Sequence, residues 1–416
     1  MPDQDQPAGR PRLLVLNMYY GPYESTGQLV RELCEDLAAE LPVTVVAARA
    51  SDEETKRMDH RGVDVRWVPA TTFGKRSIAL RLLNYLTFML CAVPTALRAP
   101  RPDVVLCMTN PPFVGVLGAL IARLRRAPLA VTIQDVHPDV GMISGRLTFK
   151  PAVKALGWVQ RFIVRRADKV IVISEAMGER LVERGATPEQ IAVIGNWIDP
   201  DEISPQSRDN PWAREHGLAD RFTVMHAGNV GLLQDIETMV DAAALVPEAR
   251  FVIVGEGANK QALEQRAAAK GLDNVLFLPR QPRDALGSLL ASADAHVVSL
   301  MPGLAGLMEP SKLYGILAAA RPVLAGMEPG SEAASVIERS DSGVRSNPGE
   351  PESFADAARR LIELSAEERA EMGRRGRAYC EQFCSRRRAT GSYRALIESL
   401  AASSGNAAAT SGGVSR

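Results

Sequence analysis

Val104-Val-Leu-Cys-Met108, running into Thr109-Asn-Pro-Pro-Phe113 and followed by Leu129-Ala-Val-Thr-Ile133, holds two unbroken apolar runs, each closed by a polar or proline-rich turn. A strand that is apolar on both faces has to be covered on both faces, which is the condition of a parallel sheet between helices. Outward from this pair the same kind of run recurs at Leu13–Asn17, Val43–Ala47, Val63–Val68 and Val170–Ser174. It recurs again at Phe222–His226, Phe251–Val254, Val275–Leu278, Ala295–Ser299 and Val323–Ala325. Helical stretches separate them, and strand–helix–strand order predicts a doubly wound α/β architecture in each half.

The halves part at Asp199-Pro-Asp-Glu-Ile-Ser-Pro-Gln-Ser-Arg-Asp-Asn-Pro211, a Pro- and Asp-rich segment without periodicity. The predicted organisation is a disordered segment 1–11, a first domain 12–200, a linker 201–215, a second domain 216–382, a last helix 383–400, and a disordered Ser/Gly/Ala-rich tail 401–416. Carboxyl ends of strands then face one another across a cleft, where open parallel sheets bind ligands.

The composition suits a soluble globular protein, with 46% hydrophobic and 24% charged residues and a formal net charge of zero over 416 residues. That balance gives the whole molecule no bias toward nucleic acid. Between Lys75 and Val170, however, 15 Lys and Arg face only Asp103, Asp135, Asp139 and Asp168, a local excess of 11. Such a block points to an anionic surface or ligand, against the alternative of an ordinary solvated face. Cysteines 34, 91, 107, 380 and 384 show no metal-ligand spacing and read as free thiols of a reducing compartment. The polar, Pro-containing stretch Met1–Arg12 lacks a signal-peptide pattern. Ile78–Leu97 is strongly apolar, but Arg81 leaves only the 16 residues Leu82–Leu97 uninterrupted, fewer than the roughly 20 a bilayer span needs. An interfacial helix and a core helix beneath the first sheet both fit it.

Candidate site residues sit after strands. Tyr19-Tyr-Gly-Pro-Tyr-Glu-Ser-Thr-Gly27 leads into a helix from about Gln28, and its small residues let backbone approach an anion, although it is not the Gly-x-Gly-x-x-Gly of dinucleotide sites. In Gln134-Asp-Val-His-Pro-Asp139, Asp135 and His137 are a carboxyl and an imidazole close enough to share a proton task, with an ordinary turn as the alternative. In the second half, Gly228 and Gly231 free the backbone while Asn229 and Gln234 offer neutral donors, and Gly255-Glu256-Gly257 frames a carboxylate that suits a nucleoside hydroxyl or base edge.

Glu309-Pro-Ser-Lys-Leu-Tyr-Gly-Ile-Leu-Ala-Ala-Ala-Arg-Pro-Val323 carries the sharpest signal. Ser311 reads as the N-cap of a helix to about Ala320, which puts Lys312 in its first turn. A cation there opposes the helix dipole, so stability does not explain it; a diphosphate would turn the conflict into attraction. Arg280, in Leu278-Pro-Arg-Gln-Pro282, is placed to assist.

These motifs in this order resemble glycosyltransferase family 4, of the GT-B fold, and within it the colanic-acid and fucosamine-type transferases of bacterial polysaccharide assembly. The likeness rests on Tyr20-Gly-Pro, Thr26-Gly27, Asn110-Pro-Pro112, Asp135-Val-His-Pro-Asp139, Gly195-Asn-Trp-Ile-Asp199, Gly228-Asn-Val-Gly, Gly255-Glu-Gly257 and Pro310-Ser-Lys312 through Arg321-Pro-Val323. It implies a retaining transferase that needs no metal or other cofactor, with the last helix, 383–400, crossing back to the first domain. The donor, a nucleoside diphosphate sugar, would lie on Gly27, Gly228, Asn229, Gln234, Gly255, Glu256, Arg280, Pro310, Ser311, Lys312 and Leu313. The acceptor would lie on Tyr20, Thr26, Asn110 and Pro111, with Asp135, His137 and Glu309 as catalytic candidates. An anionic, lipid-linked glycan acceptor would suit the basic block and the apolar helix, placing the protein peripherally on the cytoplasmic face of the membrane. The chain departs from the family where an Arg and a Lys are replaced by Asn229 and Gln234, and where the paired glutamates fall at Leu307 and Gly315. Lys312, helped by Arg280, then has to replace the missing phosphate charge, and Glu309 a sugar or ribose contact. Asp199-Pro-Asp201 reads as turn chemistry and not as a manganese site. A nucleotide-sugar epimerase on the same scaffold and a catalytically silent donor-binding subunit remain open alternatives, whereas a dinucleotide-dependent oxidoreductase lacks its glycine fingerprint.

Overall fold

The computed structural model describes residues 9–21, 25–49, 59–71, 73, 78–145 and 147–411. Lys75, Arg76 and Arg146 of the basic block, the centre of the first loop (22–24), and the parts 1–8 and 412–416 of the two expected disordered ends lie outside the described residues.

The first sheet is built from β1 (Leu13–Leu16), β2 (Val43–Ala48), β3 (Asp64–Val68), β4 (Val104–Cys107), β5 (Leu129–Ile133), β6 (Lys169–Val172) and β7 (Ile191–Val193), parallel throughout in the order β3-β2-β1-β4-β5-β6-β7. The second contains β8 (Thr223–Ala227), β9 (Arg250–Val254), β10 (Val275–Leu278), β11 (Ala295–Ser299), β12 (Val323–Gly326) and β13 (Gly343–Ser346), parallel in the order β10-β9-β8-β11-β12-β13. Both orders reverse beside the first strand of the sheet, between β1 and β4 and between β8 and β11. Those reversals are the switch points at which such sheets open a ligand crevice. The central strands β1, β4 and β5 are buried along their whole length, in keeping with their unbroken apolar runs. The edge strands β7 and β13 were not among the expected strands. Each is short and partly exposed, so neither carries a continuous apolar signal.

Helices cover both faces of the first sheet. Ile78–Arg98, Val114–Arg125 and Lys150–Arg166 bury Phe88, Ala92, Leu117, Ile121 and Ile163 on one face. Ser25–Ala38 and the last helix, Arg386–Ser411, bury Leu33, Leu37, Tyr393 and Ile397 on the other. The first of these helices begins at Ser25 rather than near Gln28. The last one belongs to the chain's second half yet packs on the first domain. The Arg386 guanidinium grips Asp36 with two bonds of 2.6 and 2.9 Å, and the Tyr393 hydroxyl lies 3.1 Å from that of Thr132. The expected disordered tail is helical as far as Ser411, because Ala-rich sequence favours helix over coil. The expected linker is likewise shorter at its second-domain end. Asn210 caps a helix, Pro211–Glu215, whose Trp212 is buried in the second core.

The Ile78–Arg98 helix is a core helix along one stripe and exposed along another. One stripe (Phe88, Ala92, Ala96) lies in the core, while Leu82, Leu83, Leu86 and Leu90 are exposed, Leu90 by 73%. It is long and apolar enough to cross a membrane by length and composition, but only 22% of that window is buried inside the protein.

Candidate functional site

Loops from the carboxyl ends of both sheets meet in one gap. Residues 300–311, after β11, reach across it: the Val136 N–H donates to the Leu307 carbonyl at 2.7 Å, and Asp135 pairs with Met308 as an antiparallel bridge. Leu307 belongs to the core of the first domain. Gly306 has φ +70°, and a Cβ there would lie 2.9 Å from the Ala176 carbonyl oxygen. Arg283 crosses elsewhere, donating to Gln28 of the first domain at 2.9 Å and pairing with Glu202 at 3.0 Å.

The helix that starts at Lys312 turns its tip into this gap. It runs only Lys312–Ala318, and Ser311, helical and exposed, makes no capping bond with its side chain, so the expected N-cap and the expected length are both corrected. The first-turn amides keep partners close by: Leu313 N donates to the Pro310 carbonyl and Tyr314 N to that of Ser311. The half-buried Lys312 side chain extends to the end of β8. Its Nζ lies 3.1 Å from Nε2 and 3.2 Å from Nδ1 of His226, and 3.7 Å from where a Cβ of Gly228 would be. Burial pulls the Lys312 ammonium down to about 7 and, with the ammonium's own charge, holds His226 well below the usual imidazole range. Lys312 thus faces a neutral ring and a side-chain-free backbone segment, with no carboxylate paired to it among the described residues. Such an arrangement suits an anion.

The glycines of this half keep the loops close. A Cβ at Gly255 would come within 1.9 Å of the Gly228 carbonyl oxygen, and one at Gly257 within 2.1 Å of that of Val230. Asn229 and Gln234 face each other at 3.5 Å beside Gly231, and the Ser299 hydroxyl ties down the Gln234 carbonyl at 2.6 Å. Glu256 is held by Lys260 through one oxygen at 2.8 Å and stays 58% exposed.

Glu309 lies where the two domains touch. Its Oε1 accepts the Glu332 N–H at 3.2 Å, at the start of the Glu332–Ser340 helix, while Oε2 is buried without a hydrogen bond. Burial raises its carboxyl to about 7. The amides of Glu332 and Ala333 and the Ser174 hydroxyl of the first domain pull the other way. Opposite, burial raises the Asp135 carboxyl and lowers the His137 imidazole, each partly opposed by the charge of the other, and Arg81 further disfavours a charged His137. The His137 carbonyl is fixed by Arg184 at 3.1 Å.

Several expected site residues are placed otherwise. Tyr20 is 4% exposed and packs edge-on against His60 and Trp67, so it belongs to the first domain's core and does not line the gap. Leu313 is buried in the second core. Arg280 follows the edge strand β10, exposed and without a hydrogen bond or ion pair among the described residues. Nothing brings it beside Lys312, which lies at β8. Asn110 and Pro111 tie the switch point together: the Asn110 N–H donates to the Asn17 side chain at 3.1 Å, its carbonyl accepts from Met18 at 2.7 Å, and Pro111 is buried. Gly27 lets its helix approach the first loop, with a Cβ only 3.1 Å from the Gly21 carbonyl oxygen, and the half-buried Thr26 stands in the first turn of that helix. Asp199 accepts from the Asp201 amide at 3.0 Å, a turn contact. His226, Ser174, Arg283 and the reciprocal Gln134–Asn196 pair (2.9 Å both ways) were missed. Ser174 and His226 end apolar runs, whereas Arg283 carries no such signal and Gln134 and Asn196 show only as members of the motifs above.

Residues 26–197 match the glycosyl transferase 4-like domain and residues 210–379 the glycosyl transferases group 1. The chain is 28% identical over 85% of its length to a Pseudomonas aeruginosa protein described as a probable glycosyltransferase, WbjE, 90% of which is covered. It is 29% identical over 54% of its length to 57% of an Escherichia coli K12 protein named for colanic acid biosynthesis, the glycosyl transferase WcaI. The fold superposes on Anabaena HepE, solved with UDP and glucose, with a TM-score of 0.75 over 94% of this chain and 100% of that one, at 19% identity. The chain belongs to the glycosyltransferases of this two-domain, GT-B type.

Proposed function

We propose that the chain moves a sugar, with retention of anomeric configuration, from a nucleoside diphosphate sugar in the second domain to a lipid-diphosphate-linked glycan beside the first, in the assembly of a bacterial cell-envelope polysaccharide or glycolipid. The observation that carries the donor half is the Lys312 ammonium set against His226 and Gly228 at the mouth of the gap. Departure of a nucleoside diphosphate needs its new charge met in the transition state, and a lysine held ready there meets it without a metal. Glu256, exposed and next to that loop, is assigned to the nucleoside. Asp135, whose backbone pairs with Met308 of the crossing loop, and His137 are assigned to the acceptor side, where a proton has to leave the attacking hydroxyl.

The acceptor half rests on the helical face of the first domain. The helices Ile78–Arg98, Val114–Arg125 and Lys150–Arg166 contain nine Lys and Arg and no acidic residue; they expose Leu86, Leu90, Leu124 and Trp158, and Phe149 is exposed just before the last of them. Cations interleaved with exposed apolar side chains suit peripheral binding to an anionic leaflet. Incubation with UDP-, GDP- and dTDP-sugars and a polyprenyl-diphosphate glycan, followed for nucleoside diphosphate release and for the anomer formed, tests the reading. Donor converted without acceptor would mean an epimerase, and donor bound without turnover a silent subunit.

A further inference from the structure

Beside the Asp135–His137 loop of the first domain lies a cleft of about 510 Å³ that the reaction above does not use. Its floor is Pro138 and Asp139, the two residues that follow His137, and its wall is one stripe of the Lys150–Arg166 helix: Lys154, Trp158 and Arg161, spaced i, i+4 and i+7. Arg184 closes it and is already matched, pairing with Asp139 at 2.5 Å. Lys154 and Arg161 are not matched: among the described residues neither has an ion pair or a hydrogen bond. Trp158 is 67% exposed, yet it is not loose, since it stacks on Phe162 with ring centroids 5.9 Å apart and planes 20° from parallel. Two unneutralised cations flanking a braced indole form a surface for a ligand with an anionic part and a ring or chain to lay on an aromatic face.

We propose that this cleft holds the phosphate or diphosphate ester of the acceptor, Lys154 and Arg161 taking the charge and Trp158 packing against the adjoining sugar or first isoprene unit. The assignment rests on the transferase reading and supplies its acceptor subsite. Position supports it from both sides. The short helix Asp139–Ile143 borders the cleft through Met142, while its Ile143 packs into both cores and comes within 3.9 Å of the Cβ position of Gly303. That helix therefore touches the cleft on one side and, on the other, the loop 300–311 that crosses the gap. On the other side, Phe149, 68% exposed, precedes the Lys150–Arg166 helix, which forms part of the acid-free helical face on which a lipid tail would lie.

The test is co-sedimentation of the full-length chain with vesicles of phosphatidylcholine carrying either phosphatidylglycerol or polyprenyl diphosphate at equal surface charge. Nucleotide titration runs in parallel. The wild type is expected to prefer polyprenyl diphosphate severalfold, with millimolar pyrophosphate abolishing the preference and leaving phosphatidylglycerol binding in place. Lys154→Gln/Arg161→Gln should weaken polyprenyl diphosphate binding about tenfold, with nucleotide binding unchanged. Lys154→Arg and Trp158→Phe should keep the preference, and Trp158→Ala should lose most of it. Equal loss on both vesicle types, or a preference that survives the double substitution or excess pyrophosphate, overturns the cleft and leaves donor turnover untouched. Absence of nucleotide binding and turnover in the wild type would instead sink the transferase reading beneath it.

Discussion

The ammonium of Lys312 lies 3.1–3.2 Å from both ring nitrogens of His226, although 86 residues separate the two in the chain. His226 Nε2 is also 3.3 Å from the Asn229 carbonyl, so the ring donates there as a neutral imidazole and leaves Nδ1 to accept from the ammonium. A cation beside a neutral, fully buried ring has shed water without gaining a counter-charge. A diphosphate would supply that charge.

Replacing this ammonium should therefore be felt in donor binding. Lys312→Ala is expected to weaken nucleotide-sugar affinity about tenfold to hundredfold, on the order of 1.5–3 kcal/mol for a charge-assisted contact. Calorimetric titration measures it, and an unchanged Kd would remove Lys312 from the donor site.

The same affinity should depend on pH with a fixed sign. Burial holds the free Lys312 near 7, and a bound diphosphate raises it, so binding takes up a proton above that pH. Affinity for a nucleotide sugar, whose diphosphate does not titrate in this range, is expected to be flat below about pH 7 and to fall above it. Lys312→Arg should flatten the profile, because a guanidinium stays charged. Affinity that rose with pH would contradict the assignment.

Glu309 predicts a stability slope of its own. Its folded-state value, raised from 4.5 to about 7, means that the unfolded chain releases this proton first as pH rises. Stability contributed by the protonated carboxyl is present below about pH 4.5 and declines between 4.5 and 7. Glu309→Gln should remove that decline and stabilise the protein at pH 8 by on the order of 2 kcal/mol, read from urea unfolding at the two pH values. A wild-type-like slope in the variant would show that the carboxyl is solvated.

Gly306 tests the contact between the domains. With φ +70° and a Cβ position 2.9 Å from the Ala176 carbonyl oxygen, Gly306→Ala has to displace the loop that carries Leu307 and Met308 against Asp135 and Val136. A fall in kcat of about tenfold is expected, with donor Kd close to the wild type, since Lys312 keeps its own anchor on β8. Steady-state kinetics beside titration separates the two effects. Loss of both together would mean that the loop also shapes the donor pocket.

The exposed leucines give the last prediction. Leu86→Glu/Leu90→Glu changes residues 47% and 73% exposed, so folding should be unaffected while sedimentation with phosphatidylglycerol vesicles falls about tenfold. Binding that persisted would place the membrane-facing surface elsewhere on the chain.

The amino-acid sequence by itself determined the two parallel sheets, the cleft between them and the presence of a lysine at its edge. Each of these is a local property: an unbroken apolar run must be covered on both faces, a strand must end in a turn, and a cation at a helix start contradicts the dipole wherever it occurs. Tertiary structure alone decided which side chains meet in that cleft. Sequence position after a strand did not distinguish Arg280, exposed at an edge strand, from Arg283, which bonds Gln28 across the gap, and Tyr20 in a loop and Leu313 in a helix both read as site residues until their side chains were seen in the cores. His226 was legible as the polar end of a strand but not as the partner of Lys312, and Glu309 not as a carboxyl wedged against Ser174 and the 332–340 helix. Such neighbours come from packing one domain's loops against the other's, over separations in the chain that no periodicity spans.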